Sequence, residues 1–194
     1  MIATAAHVIT GFPGAGKTAL LRALLDQRPH GEHWALLLNG ASSIDRAEGV
    51  AVHQLGNDCA CCTGRVGFRT ALVQLLRGAR AHRLWIELAG AGDPAAIKQV
   101  LHEASFAGVV KLISTICVVQ PRHLANADIA GHEIFAAQLK HADYFVLAED
   151  DALALNVLTP RGKSMMLLQD ATLGALSAPV TTAYSNDSSR RISS

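Results

Sequence analysis

The chain has 194 residues, the size of one globular domain with a short appendage, and half of them are hydrophobic, so a substantial core can form. Its 17 basic and 16 acidic residues nearly cancel, which argues against a broad electrostatic surface for nucleic acid or membrane. No stretch approaches 18 apolar residues, and the opening MIATAAHVITGFPG has no basic n-region and breaks at Gly11, so neither a membrane span nor a signal peptide is expected and the protein reads as cytoplasmic.

In chain order, HVIT (7–10) reads as a strand, and a helix follows from Lys17 to Arg28. ALLLN (35–39) and VAVHQL (50–55) read as the next two strands. Residues 64–79 place Val66, Leu72, Leu75 and Leu76 at helical spacing. RLWIEL (83–88) is a strand, and DPAAIKQVLHEA (93–104) is a helix with Asp93 at the N-cap and Pro94 in the first turn. VVKLISTICVV (109–119) reads as a long buried strand, and its Cys117 as a small buried hydrophobe. EIFAAQLKHA (133–142) is a helix, DYFVLA (143–148) a strand, and MMLLQ (165–169) a final strand. The polar end from Tyr184 lacks apolar spacing and reads as a disordered tail over 184–194. Apolar strands alternating with amphipathic helices predict a three-layer α/β domain over residues 1–183, its mostly parallel central sheet covered by helices on both faces.

The segment between the first strand and the first helix reads Gly11-Phe-Pro-Gly14-Ala15-Gly16-Lys17-Thr18, a match to G-x-x-x-x-G-K-(S/T). Glycines let backbone N–H groups turn toward phosphate oxygens, and the following helix, with Ala19 in its first turn, adds its dipole. Lys17 is placed to reach the β- and γ-phosphates, and the Thr18 hydroxyl to bind Mg²⁺. Such a phosphate loop needs a second acidic group at the end of a buried strand. RLWIELAG supplies Glu87, for Mg²⁺ or the attacking water, and Gly90 three residues on, whose N–H is placed to contact the γ-phosphate.

The order of motifs resembles the CobW-type P-loop GTPases, nucleotide-driven metallochaperones related to the nickel-insertion GTPases. The resemblance covers residues 5–153: GFPGAGKT, Asn39 after the second strand, Cys-x-Cys-Cys within GNDCACCTGR (56–65), ELAGAGDPAAI, and QLKHADYFVLAEDDAL. It implies slow GTP hydrolysis with Mg²⁺, delivery of Zn²⁺ or Co²⁺ to a client metalloprotein, and a homodimer formed across the nucleotide face. By the same resemblance Asp151 accepts from the guanine base. Where the family has Asn-Lys-x-Asp this chain has Ala148-Glu149-Asp150-Asp151, and Asn39 is followed by Gly40 where the family usually has an acid. The nine histidines are scattered, and docking through a second domain is not expected.

Three of the four cysteines, Cys59, Cys61 and Cys62, fall within four positions. No second C-x-x-C or H-x-x-x-H follows, whereas a closed structural zinc site wants four protein ligands. Two or three local thiolates with a water or borrowed ligand make an open, labile site, suited to a metal that is handed on. Soft sulfur favours Zn²⁺ or Cu⁺, and the resemblance points to Zn²⁺ or Co²⁺. His53 is a further ligand candidate or a plain strand-edge histidine. A redox pair and a purely structural site stay open. So do two other functions: a nucleotide- or metal-sensing module with little or no hydrolysis, and an ATP-dependent kinase, for which the sequence offers no lid segment.

Overall fold

Seven apolar segments form one sheet in which every neighbouring pair is parallel, in the order β3-β2-β4-β1-β5-β6-β7. The strands are β1 (Thr4–Thr10), β2 (Trp34–Asn39), β3 (Val50–Leu55), β4 (Arg83–Glu87), β5 (Val110–Val119), β6 (Tyr144–Leu147) and β7 (Ser164–Leu167). The computed structural model describes residues 3–39, 43–45, 47–55 and 65–177. Cys59, Cys61, Cys62 and the tail 184–194 lie outside the described residues.

The helices are α1 (Lys17–Leu25), α2 (Arg65–Ala79), α3 (Pro94–Leu101), α4 (Pro121–Ala125), α5 (Ala127–Ala130), α6 (Glu133–His141), α7 (Ala152–Leu158) and α8 (Leu173–Ser177). On one face of the sheet Phe68 and Leu72 of α2 and Ile97 and Val100 of α3 pack on Val8, Leu37 and Ile86. Phe135 and Leu139 of α6 pack beside them on Cys117, Val119 and Phe145. On the other face Leu20, Leu21 and Leu24 of α1 and Leu176 of α8 cover Trp34, Leu36, Trp85 and Val118. Each such side chain taken fully out of water contributes roughly 1.5–3 kcal/mol before entropy is counted. The alternation along each strand thus fixes a three-layer α/β fold.

Several boundaries differ from the sequence reading. α1 stops at Leu25, because Gln27 and Arg28 close turns by donating to Leu24 and Leu25 carbonyls ahead of Pro29. α3 stops at Leu101 in a run of turns from 102 to 109. β5 is continuously buried only from Ser114 on, since after buried Val110 the Lys111 side chain is exposed and Leu112 and Ile113 are half-buried. β3 and β7 are the sheet edges, and their side chains are mostly half-buried. Cys117 has no exposure, and burial pushes its thiol up to about 12. Among the described residues no helix is long and apolar enough to cross a membrane.

Candidate nucleotide and metal site

In a parallel sheet all carboxyl ends of the strands meet one edge, and ligands bind in the crevice there. The loop after β1 and the segment after β4 meet at that edge around a cavity of about 500 Å³. Its lining includes Gly14, Ala15, Gly16, Lys17, Thr18 and Ala19 from the first segment, with Asn39, Glu87 and Gly90 facing them.

The loop conformation requires its glycines. Gly11 has φ +145°, and a Cβ there would stand 2.5 Å from the Val118 carbonyl oxygen. Gly16 caps α1 in the left-handed region at φ 101° with no side-chain cap, and the first turn of α1 holds no acidic residue. The helix N-terminus therefore faces the cavity with its own N–H groups and dipole, the arrangement that binds phosphate. Lys17 is 8% exposed, and its ammonium donates to the carbonyls of Gly11 at 2.9 Å and Phe12 at 3.3 Å. Burial holds the Lys17 pKa below the usual lysine value, with Glu87 and Cys117 opposing that shift. A desolvated cation beside glycine-lined N–H groups fits an anionic phosphate chain.

Glu87 is 2% exposed at the end of β4, held in the cavity wall and away from bulk solvent. The Thr18 hydroxyl donates to its Oε1 at 2.7 Å. These two oxygens are the hard donors that Mg²⁺ takes, so the residues fit that ion. Asn39 is 1% exposed, and its Oδ1 accepts from the Ala89 N–H at 3.4 Å, which ties the end of β2 to the segment after β4. Gly90 packs on the phosphate loop so closely that a Cβ would lie 2.5 Å from Pro13 Cγ.

A family model described as the CobW/HypB/UreG nucleotide-binding domain matches residues 5–165. The chain belongs to this family. It is 34% identical over 154 residues to zinc chaperone YeiR of Escherichia coli K12, covering 76% of this chain and 47% of that protein. It is 28% identical over 166 residues to zinc-regulated GTPase metalloprotein activator 1 of Schizosaccharomyces pombe, covering 78% of this chain and 40% of that protein. The chain thus spans about half the length or less of these curated relatives. Among solved structures, Zn(II)-bound YjiA GTPase from Escherichia coli superposes with a TM-score of 0.68 at 23% identity, over 91% of this chain and 61% of that one. HypB from Helicobacter pylori in complex with nickel gives 0.53 at 16% identity, over 87% of this chain and 80% of that one. Both likenesses bear on the fold.

Against the CobW/HypB/UreG pattern, Asp151 stands at the N-cap of α7, where its Oδ1 accepts from the Ala154 N–H at 2.9 Å. It lies apart from the phosphate cavity lining. His53 is half-buried on edge strand β3, paired in register with Leu37, and among the described residues no three His, Cys, Asp or Glu side chains converge on a metal position. The residues that flank the cysteine segment are described: Leu55 ends β3 in register with Asn39, and Leu38 pairs with Glu87. Sequence pattern alone does not single out Gln120 or Arg122, and it marks Gln138 only as the opening residue of the QLKHAD segment, with no partner. Gln120 Nε2 donates to the Ala15 carbonyl and Arg122 Nη2 to the Gly14 carbonyl, each at 3.3 Å. Fully buried Gln138 donates to the carbonyls of Gly90 at 2.9 Å and Gly92 at 3.3 Å.

Proposed function

We propose that this domain binds GTP with Mg²⁺, hydrolyses it slowly, and uses the nucleotide state to control Zn²⁺ or Co²⁺ held by Cys59, Cys61 and Cys62 for delivery to a client metalloprotein. The observation that carries the reading is the register at the carboxyl edge of the sheet. The cysteine segment starts directly after Leu55, Leu55 pairs with Asn39, and Asn39 lines the same cavity as Glu87. Two strand spacings of roughly 4.8 Å each therefore separate β3, which Leu55 ends, from β4, which ends in the acid at the nucleotide. The relatives named as zinc chaperones and a zinc-regulated GTPase activator support the same pairing of functions.

Each residue then has a role. Lys17 leaves its loop carbonyls to hold β- and γ-phosphate oxygens, and the N–H groups of residues 14–19 hold the rest of the chain. Thr18 and Glu87 hold Mg²⁺, which when bound neutralises charge on the phosphate oxygens. Glu87 orients the attacking water, and Gly90, seated on Pro13, registers the γ-phosphate through its N–H. Asp151 keeps acceptor capacity for the guanine edge while one oxygen caps α7. Asn39 joins the two sides, so a shift in the segment after β4 reaches β2 and, through it, the segment after β3. A homodimer across this face would close the site.

The test is phosphate release from GTP by reduced protein with Mg²⁺, beside the Lys17→Ala variant. The wild type should turn over slowly and Lys17→Ala should not. Unchanged turnover in Lys17→Ala would remove the phosphate-loop assignment.

A further inference from the structure

We infer that Arg122 covers the base of the bound nucleotide. The inference rests on the nucleotide-binding reading above and adds to it the residue that supplies the base with a flat contact. In the sheet, β5 lies between β1 and β6. The segment leaving β5 therefore stands between the phosphate loop and the Ala148–Asp151 loop, and the Ala148 N–H in fact donates to the Val119 carbonyl at 3.1 Å. Pro121 starts α4 at once, and α4 packs against α7, whose N-cap is Asp151. A nucleotide with its phosphates in the loop and its base at Asp151 must cross this segment.

Two side chains of the segment grip the phosphate loop from outside its cavity. Gln120 donates to Ala15 and Arg122 to Gly14. Gly14 has φ +74°, a backbone conformation that favours glycine, and Arg122 Nη2 lies in ordinary contact distance of the position a Cβ there would take. Arg122 is itself exposed, which keeps its planar face available. The loop after β6 reads Ala148-Glu149-Asp150-Asp151: three carboxylates and a methyl, with no aromatic or cationic surface for a base. A guanidinium stacks on a purine face and also offsets the charge of those carboxylates.

The experiment is titration of the full chain with Mg²⁺–GTP and with Mg²⁺–tripolyphosphate, which has no base, for wild type, Arg122→Ala and Arg122→Lys. Arg122→Ala should weaken GTP at least tenfold and tripolyphosphate less than twofold, with an unchanged melting temperature. Arg122→Lys, which keeps the charge and loses the planar face, should recover only a small part of the loss, and full recovery would overturn the stacking contact. Equal losses for both ligands would mean that Arg122 acts on phosphate, and no loss for either that it acts on nothing bound; each overturns the inference. A wild type that binds tripolyphosphate as tightly as GTP also overturns it while leaving the phosphate loop intact. A wild type that binds neither removes the nucleotide reading itself, and this inference with it.

Discussion

The Thr18 hydroxyl and the Glu87 carboxylate meet at 2.7 Å, joining the first turn of α1 to the end of β4 across the floor of the cavity. Replacing Glu87 with Gln keeps an oxygen for Thr18 to donate to and removes only the charge. The expected result is a fall in GTP turnover of about 100-fold, or about 3 kcal/mol of barrier. Nucleotide affinity should stay within about threefold, since the phosphate loop and Lys17 supply the main phosphate contacts and the amide oxygen of Gln still accepts from Thr18. Phosphate-release kinetics alongside equilibrium titration separate the two. Turnover at the wild-type level would show that Glu87 orients no water.

Gly90 is held against Pro13 with no room for a side chain: an added Cβ would lie 2.5 Å from Cγ and 2.7 Å from the proline nitrogen. Gly90→Ala must push the segment after β4 away from the phosphate loop, at a cost of about 1–3 kcal/mol. Turnover is expected to drop at least tenfold. A structure or chemical-shift map should locate the change at residues 12–14 and 88–92. An active variant with native stability would mean the two segments move independently.

Gln138 makes the complementary contact from the other side. Its buried amide holds the carbonyls of Gly90 and Gly92. Gln138→Leu leaves two carbonyls without that donor, costing about 1–3 kcal/mol of stability. If the amide positions the segment, kcat should fall several-fold while KM changes little. Loss of stability with unchanged kcat would make Gln138 a packing residue only.

How much of this was legible in the sequence follows from the range of the interactions. The phosphate loop is legible because Gly11, Gly16, Lys17 and Thr18 act through backbone geometry and local chemistry. Glu87 is legible because it ends an apolar strand, RLWIE, that only a sheet interior accommodates. The sequence carries α1 three residues too far, since Asp26, Gln27 and Arg28 are compatible with a helix and here close turns. Gln120 and Arg122 are not legible, and Gln138 is legible only as the first residue of QLKHAD, without its contact. Their partners lie 105, 108 and 48 residues away, and only the sheet order that sets β5 beside β1, and α6 beside the segment after β4, brings them together. The short helices α4 and α5 carry local signals, Pro121 at the first position and Asn126 as a cap, too brief to separate from loop.

His7 sets a pH dependence of stability. Its ring is fully buried, stacks on Trp85 at 4.3 Å, and shares a 2.8 Å hydrogen bond with Ser114. Burial, with the Arg83 charge adding to it, lowers its pKa from 6.5 to about 4. Between those values the unfolded chain takes a proton at this residue and the folded chain does not, so stability is lost as pH falls through the interval. The loss at His7 approaches about 3 kcal/mol by pH 4. His123, whose pKa is also lowered by burial, acts in the same direction. Urea unfolding at several pH values should show the wild-type midpoint falling below pH 6.5, with a smaller fall in His7→Leu. Equal pH slopes in the two proteins would contradict the assignment.

The central claim is that nucleotide state governs the thiolate metal. The most direct measurement is Zn²⁺ affinity, by competition with a chromogenic chelator, in reduced protein loaded with a non-hydrolysable GTP analogue and then with GDP. A Cys61→Ser/Cys62→Ser variant serves as the reference. The account predicts that the two states of the wild type differ at least tenfold in Zn²⁺ affinity, about 1.4 kcal/mol, and that the variant binds orders of magnitude more weakly in both. Equal Zn²⁺ affinity in the two nucleotide states would contradict it.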